Sequence, residues 1–288
     1  MTNILLGIDG GGTACRAVLA DEHGFVLGRA TGGPANIMTD FDGARENIVQ
    51  VAKAAVIDAS PVNTGLDSIN CVIGVAGANV GDHSKRLADE LPFTDCLIVN
   101  DSAIALHGAL GADDGIVASI GTGSIFVIQQ DGKSKTIGGW GHVVGDQASG
   151  VWLGKRLLHD ALLCFDGIYP ESQLYKDTMA QFNDSAESIV TFAKDATPAE
   201  FARFAKPVMD SAADQDSMAQ RIVQSAVRDV ELILHKMNST LDLPLCLLGS
   251  LGIRYADHLS VQFQNRLLKP KGDAVSGAIA LAVKHYGH

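Results

Sequence analysis

Hydrophobic and polar positions alternate with two different periods in the N-terminal part of the chain. Short apolar runs separated by tight turns predict a β-meander over residues 4–8, 15–20 and 26–31. Over residues 41–57 the apolar positions recur with the period of a helix instead. The elements expected next are a strand at 69–75, a helix at 84–91 and a strand at 97–100. Because helices now alternate with strands, we expect parallel pairing and an α/β fold.

A similar order of elements begins again near residue 116. Strands are expected over residues 116–120, 125–129 and 133–137, and a glycine turn follows the first of them, as it follows the first strand of the chain. A repeated order with little identity is typical of a duplicated supersecondary unit. Residues 147–237 are expected to be mainly helical. After them we expect a strand at 243–248, a turn at 249–252, a helix through Leu267 and a last helix at 274–286.

The length of the chain favours two lobes. With 288 residues, of which 47% are hydrophobic, the protein can bury two substantial cores. The predicted division places an N-terminal lobe at 1–112 and a C-terminal lobe at 113–288, with a helical insert at about 147–237. A last helix that packs back on the N-terminal lobe is a further expectation.

The net charge and the cysteine pattern limit which binding partners and which cellular compartment can be expected. Lys and Arg number 22 against 33 Asp and Glu, and the net charge of −11 repels nucleic acid and anionic lipid surfaces. A nucleotide would therefore have to be held locally, by backbone amides and Mg²⁺. No apolar stretch reaches the roughly 20 residues of a membrane span and no leader pattern is present, so a cytoplasmic protein without membrane contact is expected. Five scattered cysteines without a CxxC pair predict buried, reduced thiols.

Two glycine turns carry the candidate nucleotide chemistry. Asp9-Gly10-Gly11-Gly12-Thr13 and Gly121-Thr122-Gly123-Ser124 each follow an apolar strand, where exposed N–H groups can bind phosphate oxygens. A plain hairpin connection is the alternative, but three consecutive glycines exceed what one turn needs, and the pattern occurs twice. A P-loop is excluded because Val127 stands where its leading glycine should be, and a dinucleotide fingerprint is excluded because strand follows the first turn. We predict that both turns bind one nucleotide.

Asp101 follows a further apolar strand. An Asp in front of a helix is ordinarily its N-cap, here for the helix that begins near Ser102. Its place in the sequence between the two glycine turns favours a general base that takes the proton of an incoming hydroxyl group. The two roles are compatible. Phosphate-binding turns together with a base predict a phosphotransferase.

A tryptophan loop, defined as residues 138–146, carries the candidate acceptor chemistry. It holds four glycines, Trp140, His142 and Asp146. Core packing by Trp140 and helix capping by Asp146 are the structural alternatives. Together these residues indicate a sugar site, in which an aromatic face meets ring C–H groups and a carboxylate binds hydroxyl groups. His142 has no second ligand nearby that would indicate a metal.

These segments, in this order, resemble the sugar kinase, Hsp70 and actin superfamily, and within it the N-acetylglucosamine kinases grouped with the BadF/BadG/BcrA/BcrD ATPases. The matching segments are 9–13 and 119–124 as the two phosphate motifs, 100–103 as the first connection, the tryptophan loop as the sugar loop, 248–252 as the adenosine motif and 273–281 as the second connection. The resemblance implies two ribonuclease-H-like lobes, with ATP and a sugar in the cleft between them.

The resemblance also implies roles for individual residues. Asp101 would be the catalytic base, and Asp9 would lie near Mg²⁺ through water. The residues implied to bind ATP are Asp9, Gly11, Gly12, Thr13, Gly121, Thr122, Gly123, Gly249 and Ser250. The residues implied to bind the sugar are Asn36, Asp101, Gly139, Trp140 and Asp146.

The implied activity is ATP-dependent phosphorylation of the 6-hydroxyl of an amino sugar. N-acetylglucosamine is the first expectation and glucosamine the near alternative, while a sugar-sensing or partner-regulating ATPase is the rival from another class. Family members that activate acyl-CoA reductases hold an iron–sulfur cluster near the adenosine motif, where this chain has only Cys246, and that activity is disfavoured. Ser250 replaces a glycine common in relatives, which leaves the adenine contacts open. The oligomeric state is also open, with a homodimer as one alternative.

Overall fold

The computed structural model describes residues 3–12, 14–60, 64–75, 77–78, 82–238 and 242–287. The strands are β1 (Ile4–Gly10), β2 (Cys15–Asp21), β3 (Val26–Gly32), β4 (Asn70–Val75), β5 (Asp95–Asn100), β6 (Gly115–Ile120), β7 (Ser124–Gln130), β8 (Lys133–Gly138) and β9 (Leu245–Leu248). The α-helices are α1 (Phe41–Asp58), α2 (His83–Glu90), α3 (Asp101–Leu110), α4 (Gly150–Phe165), α5 (Gln173–Ala180), α6 (Ala186–Asp195), α7 (Pro198–Ala202), α8 (Ala205–Ala213), α9 (Ser217–Met237), α10 (Gly249–Tyr255), α11 (Val261–Gln264) and α12 (Ala274–Tyr286).

Contacts between residues divide the chain into two units. Unit 1 comprises Met1–Asp113 with Lys269–His288, and unit 2 comprises Asp114–Leu268. This division differs from the lobes at 1–112 and 113–288 in that the C-terminal segment belongs to unit 1. The reason is the packing of α12, which lies against α3 and β1.

Unit 1 is built on a five-stranded sheet in the order β3-β2-β1-β4-β5. The first three strands are antiparallel, and β4 and β5 run parallel to β1. In this register Gly10 lies opposite Val75, which lies opposite Asn100. The carboxyl ends of β1, β4 and β5 therefore meet at one edge, and the segments that follow them begin there.

Alternating side chains of β1 contribute to both faces of this sheet. Leu6 and Ile8 belong to the same buried cluster as Ile48 of α1. Leu5 belongs instead to a cluster that includes Ala278 of α12. Burial on both faces explains why β1 is an almost continuous apolar run rather than an alternating one.

Unit 2 repeats this strand order, with β8-β7-β6-β9 in one sheet of the described residues. The strands β6, β7 and β8 are antiparallel, and β9 pairs parallel to β6. Helices α4 to α9 occupy the chain between β8 and β9, and their apolar faces share one buried cluster with the sheet. Tyr255 of α10 is fully buried in this core and donates its hydroxyl to the carbonyl oxygen of Ala148 at 2.8 Å. The fold class is therefore confirmed as α/β with two sheets.

Two expected elements between β9 and the C-terminal helix are wrong. Residues 249–252 are the first turn of α10 rather than a loop. The helix expected to run through Leu267 is interrupted by a 3₁₀ turn at Ala256–His258 and resumes as the short α11. Tyr255, Leu259 and Phe263 are all buried at the four-residue spacing of one continuous helix, so the apolar pattern does not reveal the break.

Most of the cysteines are buried, as the composition predicts. All five cysteines are free, and Cys15, Cys71, Cys164 and Cys246 are buried. None of the helices in the described ranges is long and apolar enough to cross a bilayer.

Candidate functional site

Asp9 occupies the end of a buried strand in unit 1. Asp9 is 9% exposed. The hairpin register places it opposite Arg16, whose guanidinium donates a hydrogen bond to the Asp9 carboxylate. Sequence reasoning missed Arg16. The only signal for it was the register of the β1–β2 hairpin, which a sequence does not specify when the turn is rich in glycine.

The glycine turn that follows Asp9 is tight and open to solvent. The backbone N–H of Gly11 donates to the carbonyl oxygen of Ala14 at 3.0 Å, which closes the turn. Apart from its chain neighbours, no described residue lies within 4 Å of the position that a Cβ on Gly12 would take. The turn therefore leaves room for a ligand to approach the backbone. Thr13, predicted to bind the nucleotide, lies outside the described residues.

Asn36 lies in the segment that follows β3, and this segment contacts the same turn. The N–H of Ala35 donates to the carbonyl oxygen of Gly11 at 2.8 Å. The side-chain oxygen of Asn36 accepts from the N–H of Met38 at 3.0 Å. Its amide nitrogen makes no hydrogen bond to the described part of the chain, so it can donate to a ligand.

Asp101 is the first residue of α3, but the residue that caps the N-terminus of this helix is Asn100. The side-chain oxygen of Asn100 accepts from the N–H of Ser102 at 2.9 Å and from its hydroxyl at 2.6 Å. The Asp101 carboxylate accepts from the same N–H at 2.8 Å. Burial raises the pKa of Asp101 and the charge of Asp9 raises it further, while the bond from Ser102 opposes both. A carboxyl group with a raised pKa is a better proton acceptor than an ordinary Asp.

The second glycine turn, between β6 and β7, is fastened to α4. The N–H of Gly121 donates to the carbonyl oxygen of Gly123 at 2.9 Å. The carbonyl oxygens of Gly121 and Thr122 accept from Gly150 and Val151, the first N–H groups of α4, at 2.8 and 3.1 Å. The backbone of the turn is thereby held in place while Thr122 is exposed.

Asp146 joins the tryptophan loop to this turn. It is 8% exposed, and its carboxylate accepts from the backbone N–H groups of Gly141 and Ser124. A Cβ on Gly123 would lie 2.8 Å from Oδ2 of Asp146. Burial raises its pKa, against the effect of these bonds and of nearby positive side chains. Asp146 thus has a structural role that the sequence did not indicate.

The remaining residues of the tryptophan loop are accessible. Trp140 is 84% exposed, which excludes the alternative that it packs in the core. Gly139 has a φ of 71°, and a Cβ there would lie 2.8 Å from Cδ1 of Ile125. The loop therefore needs glycine at this position to present the indole to solvent.

Gly249 lies against the second glycine turn. It has a φ of 79°, and a Cβ would lie 2.3 Å from the carbonyl oxygen of Ile120 and 3.2 Å from the nitrogen of Gly121. Ser250 follows on the exposed start of α10. Two segments predicted to bind the nucleotide are thus brought together in unit 2.

Each unit therefore gathers its own share of the predicted residues. In unit 1 the structure brings together Asp9, Gly11, Gly12, Asn36 and Asp101. In unit 2 it brings together Gly121, Thr122, Gly123, Asp146, Gly249 and Ser250, with Gly139 and Trp140 on the attached loop.

Comparisons of sequence identify related proteins over nearly the whole chain. The BadF/BadG/BcrA/BcrD ATPase family matches residues 6–278. The glucosamine kinase GspK of Vibrio cholerae is 31% identical over 283 residues, which cover 98% of this chain and 96% of that protein. The N-acetylmuramic acid/N-acetylglucosamine kinase of Clostridium acetobutylicum is 27% identical over 238 residues, or 79% of this chain and 77% of that one.

Solved structures agree with the two-sheet architecture. A proposed N-acetylglucosamine kinase from Chromobacterium violaceum has a TM-score of 0.89 at 30% identity, and the match covers 98% of this chain and 99% of that one. A ROK family glucokinase from Streptomyces griseus, solved with glucose and AMPPNP, has a TM-score of 0.60 at 17% identity over 97% and 98% of the two chains. The second likeness shows the fold alone.

Proposed function

Because the chain belongs to the BadF/BadG/BcrA/BcrD ATPase family, we propose that it is an ATP-dependent kinase that phosphorylates the 6-hydroxyl of an amino sugar. The observation that carries this proposal is the pair of glycine turns at equivalent places in a repeated sheet, one of them beside Asp101. The names of the related proteins support an amino sugar as acceptor. Glucosamine is favoured by the relative from Vibrio cholerae, and N-acetylglucosamine by the relative from Clostridium acetobutylicum.

The two glycine turns bind the phosphates of ATP in this proposal. Among the described residues, chain neighbours aside, no atom lies within 4 Å of a Cβ built at Gly12 or Gly121, which leaves room for a phosphate group. Exposed N–H groups of such turns can donate to phosphate oxygens. Gly249 and Ser250 contact the nucleotide from the start of α10.

The position of Asp9 is suited to a magnesium ion that the protein holds mainly through water molecules. No cluster of three His, Cys, Asp or Glu side chains that could bind a metal occurs in the described ranges. Magnesium needs no such cluster, because it commonly takes one or two carboxylates together with waters and substrate phosphates. The ion would neutralise charge on the transferred phosphoryl group. Arg16, bound to Asp9, orients the carboxylate that faces it.

Asp101 accepts the proton of the sugar hydroxyl as that oxygen attacks the γ-phosphorus of ATP. The hydroxyl oxygen forms a bond to phosphorus, the bond from phosphorus to the bridging oxygen of ADP breaks, and the proton passes to the Asp101 carboxylate. The raised pKa of Asp101 suits this role. Asn36, Gly139, Trp140 and Asp146 contact the sugar, with the exposed indole of Trp140 as the surface for the ring C–H groups.

The test is an assay of ADP release with ATP and Mg²⁺, run against glucosamine, N-acetylglucosamine, N-acetylmuramic acid and glucose. NMR of the product identifies the phosphorylated carbon. Asp101→Asn should lower kcat by about 10²–10⁴-fold and leave sugar binding largely intact. Asp89→Asn, an exposed change on α2, is the matched control and should keep wild-type activity.

Two results would overturn the proposal. ATP hydrolysis that no sugar accelerates, with no sugar phosphate formed, would favour the sugar-sensing ATPase. A phosphate on a carbon other than C6 would keep the kinase and refute its regiochemistry.

A further inference from the structure

A recess of about 330 Å³ lies in unit 2, on the side of the tryptophan loop formed by His142–Gly145. Four side chains that can carry positive charge line it: His142, Lys155, Arg156 and His159. Trp152 completes one wall. None of these residues belongs to the proposed ATP or sugar contacts.

The recess is a consequence of how α4 is patterned. Trp152, Lys155, Arg156 and His159 are spaced by three, one and three residues, which places them on one face of the helix. The opposite face carries the apolar residues of the unit 2 core. Three side chains that can carry positive charge therefore lie together against a loop in a chain with a net charge of −11.

The contacts of the cationic groups leave donors available. Nζ of Lys155 donates to the carbonyl oxygen of His142 at 2.6 Å, which satisfies one of its three protons. Nε of Arg156 and Nδ1 of His159 lie 2.9 and 3.2 Å from the same oxygen of Asp160, a fully buried carboxylate. The terminal nitrogens of Arg156 have no hydrogen bond to any residue that the structure describes.

The acidic groups near these residues do not line the recess. One oxygen of Asp160 is shared by Arg156 and His159, and its other oxygen is buried without a hydrogen-bond partner among the described residues. Asp146, which interacts electrostatically with His142 and Lys155, accepts hydrogen bonds from backbone N–H groups. Donors from three side chains therefore converge on the recess without a carboxylate that could occupy it.

We propose that this recess binds a phosphate group, as inorganic phosphate or as the phosphomonoester of a small molecule. A phosphate offers several acceptor oxygens to donors that arrive from different directions, and arginine and lysine are the side chains best suited to it. The volume is in the range of small-molecule sites and exceeds what a bare phosphate ion needs. A sugar phosphate would fill it, with Trp152 beside the sugar.

A bound phosphate would also act on the tryptophan loop, because His142 and Gly145 belong to both. Occupancy of the recess would then change the affinity for the acceptor sugar, and the sugar would change the affinity for phosphate by the same factor. Only this consequence rests on the proposed function. The binding site itself does not.

The experiment uses Trp152 as the reporter. The chain has two tryptophans, so Trp140→Phe leaves Trp152 alone, and its emission is followed while inorganic phosphate is added at constant ionic strength without ATP or sugar. The expected result is a saturable change. Lys155→Gln with His159→Gln should weaken it roughly tenfold or more, because charge-assisted hydrogen bonds are lost. Arg156 is kept, so that the buried Asp160 retains a positively charged partner when His159 is replaced.

Lys135→Gln on β8 is the control for the loss of a lysine charge, because it removes that charge from an exposed site of unit 2 and should not alter binding. Glucosamine 6-phosphate, titrated in parallel, separates the two sources of the phosphate group. Tighter binding than inorganic phosphate that is lost in the Lys155 and His159 variant identifies a phosphomonoester, and equal affinity identifies the free ion. No saturable change, or a change that the variant does not weaken, would overturn the proposal.

Discussion

Gly249 offers the sharpest test of how unit 2 is assembled. Its φ of 79° lies in the left-handed region, which costs an alanine roughly 1–2 kcal/mol. A Cβ would also lie 2.3 Å from the carbonyl oxygen of Ile120 and 2.7 Å from its carbonyl carbon. These are backbone atoms at the entry to the second glycine turn. The clash can be relieved only if the turn or the start of α10 moves, and such a shift typically costs about 1–3 kcal/mol of stability.

Gly249→Ala should therefore destabilise unit 2 by about 2–5 kcal/mol. For a domain of this size each kcal/mol lowers Tm by roughly 2–4 °C, which predicts a fall of about 4–20 °C. Thermal unfolding followed by circular dichroism measures this shift. Because the displaced atoms adjoin Gly121, the KM for ATP should rise in the fraction that remains folded.

Gly252→Ala, one helical turn further along α10, is the matched control. A Cβ there would lie 3.5 Å from the carbonyl oxygen of Ala118, an ordinary contact. The change should be neutral or stabilise the helix by up to about 1 kcal/mol. If Gly249→Ala melts at the wild-type temperature and binds ATP normally, the close approach between α10 and the turn does not constrain the protein.

The other predictions concern the remaining site residues and the packing of unit 1. Asp101→Asn should raise Tm at pH 7 while it removes activity, because a carboxyl with a raised pKa opposes folding when it ionises; the gain should shrink as the pH falls through that raised pKa toward the ordinary value of an Asp, and a pH-independent gain would exclude this cause. An amino sugar added without ATP should change the emission of Trp140 saturably, and an unchanged emission would place the sugar elsewhere. Asp146→Ala should raise the KM for ATP as well as for the sugar, since its carboxylate also holds the second glycine turn; a rise for the sugar alone would limit it to sugar contact. Gly277→Ala should lower the free energy of unfolding by about 1–3 kcal/mol, because a Cβ would lie 2.0 Å from the carbonyl oxygen of Ile104, and an unchanged urea midpoint would contradict this packing.

The sequence by itself determined most of the elements and the positions of the two glycine turns. The apolar runs of β1 and β6 and the helical periods of α1 and α9 depend on local geometry. Successive side chains of a strand point to opposite faces of the sheet, and residues three or four positions apart lie on the same face of a helix. The turns were equally readable, because glycine is required wherever the backbone must be approached closely.

Tertiary structure decided which groups those elements bring into contact. The interruption after α10, the pairing of Arg16 with Asp9 and the bonds of Asp146 to Ser124 and Gly141 all depend on atoms placed by strand register or chain crossing. The identity of the α3 cap is a local example, since both Asn100 and Asp101 accept from the N–H of Ser102 and only the extended backbone of Asn100 makes it the cap. Local periodicity determines which face a residue occupies, but a hydrogen bond needs a partner within about 3 Å, and the fold alone brings that partner there.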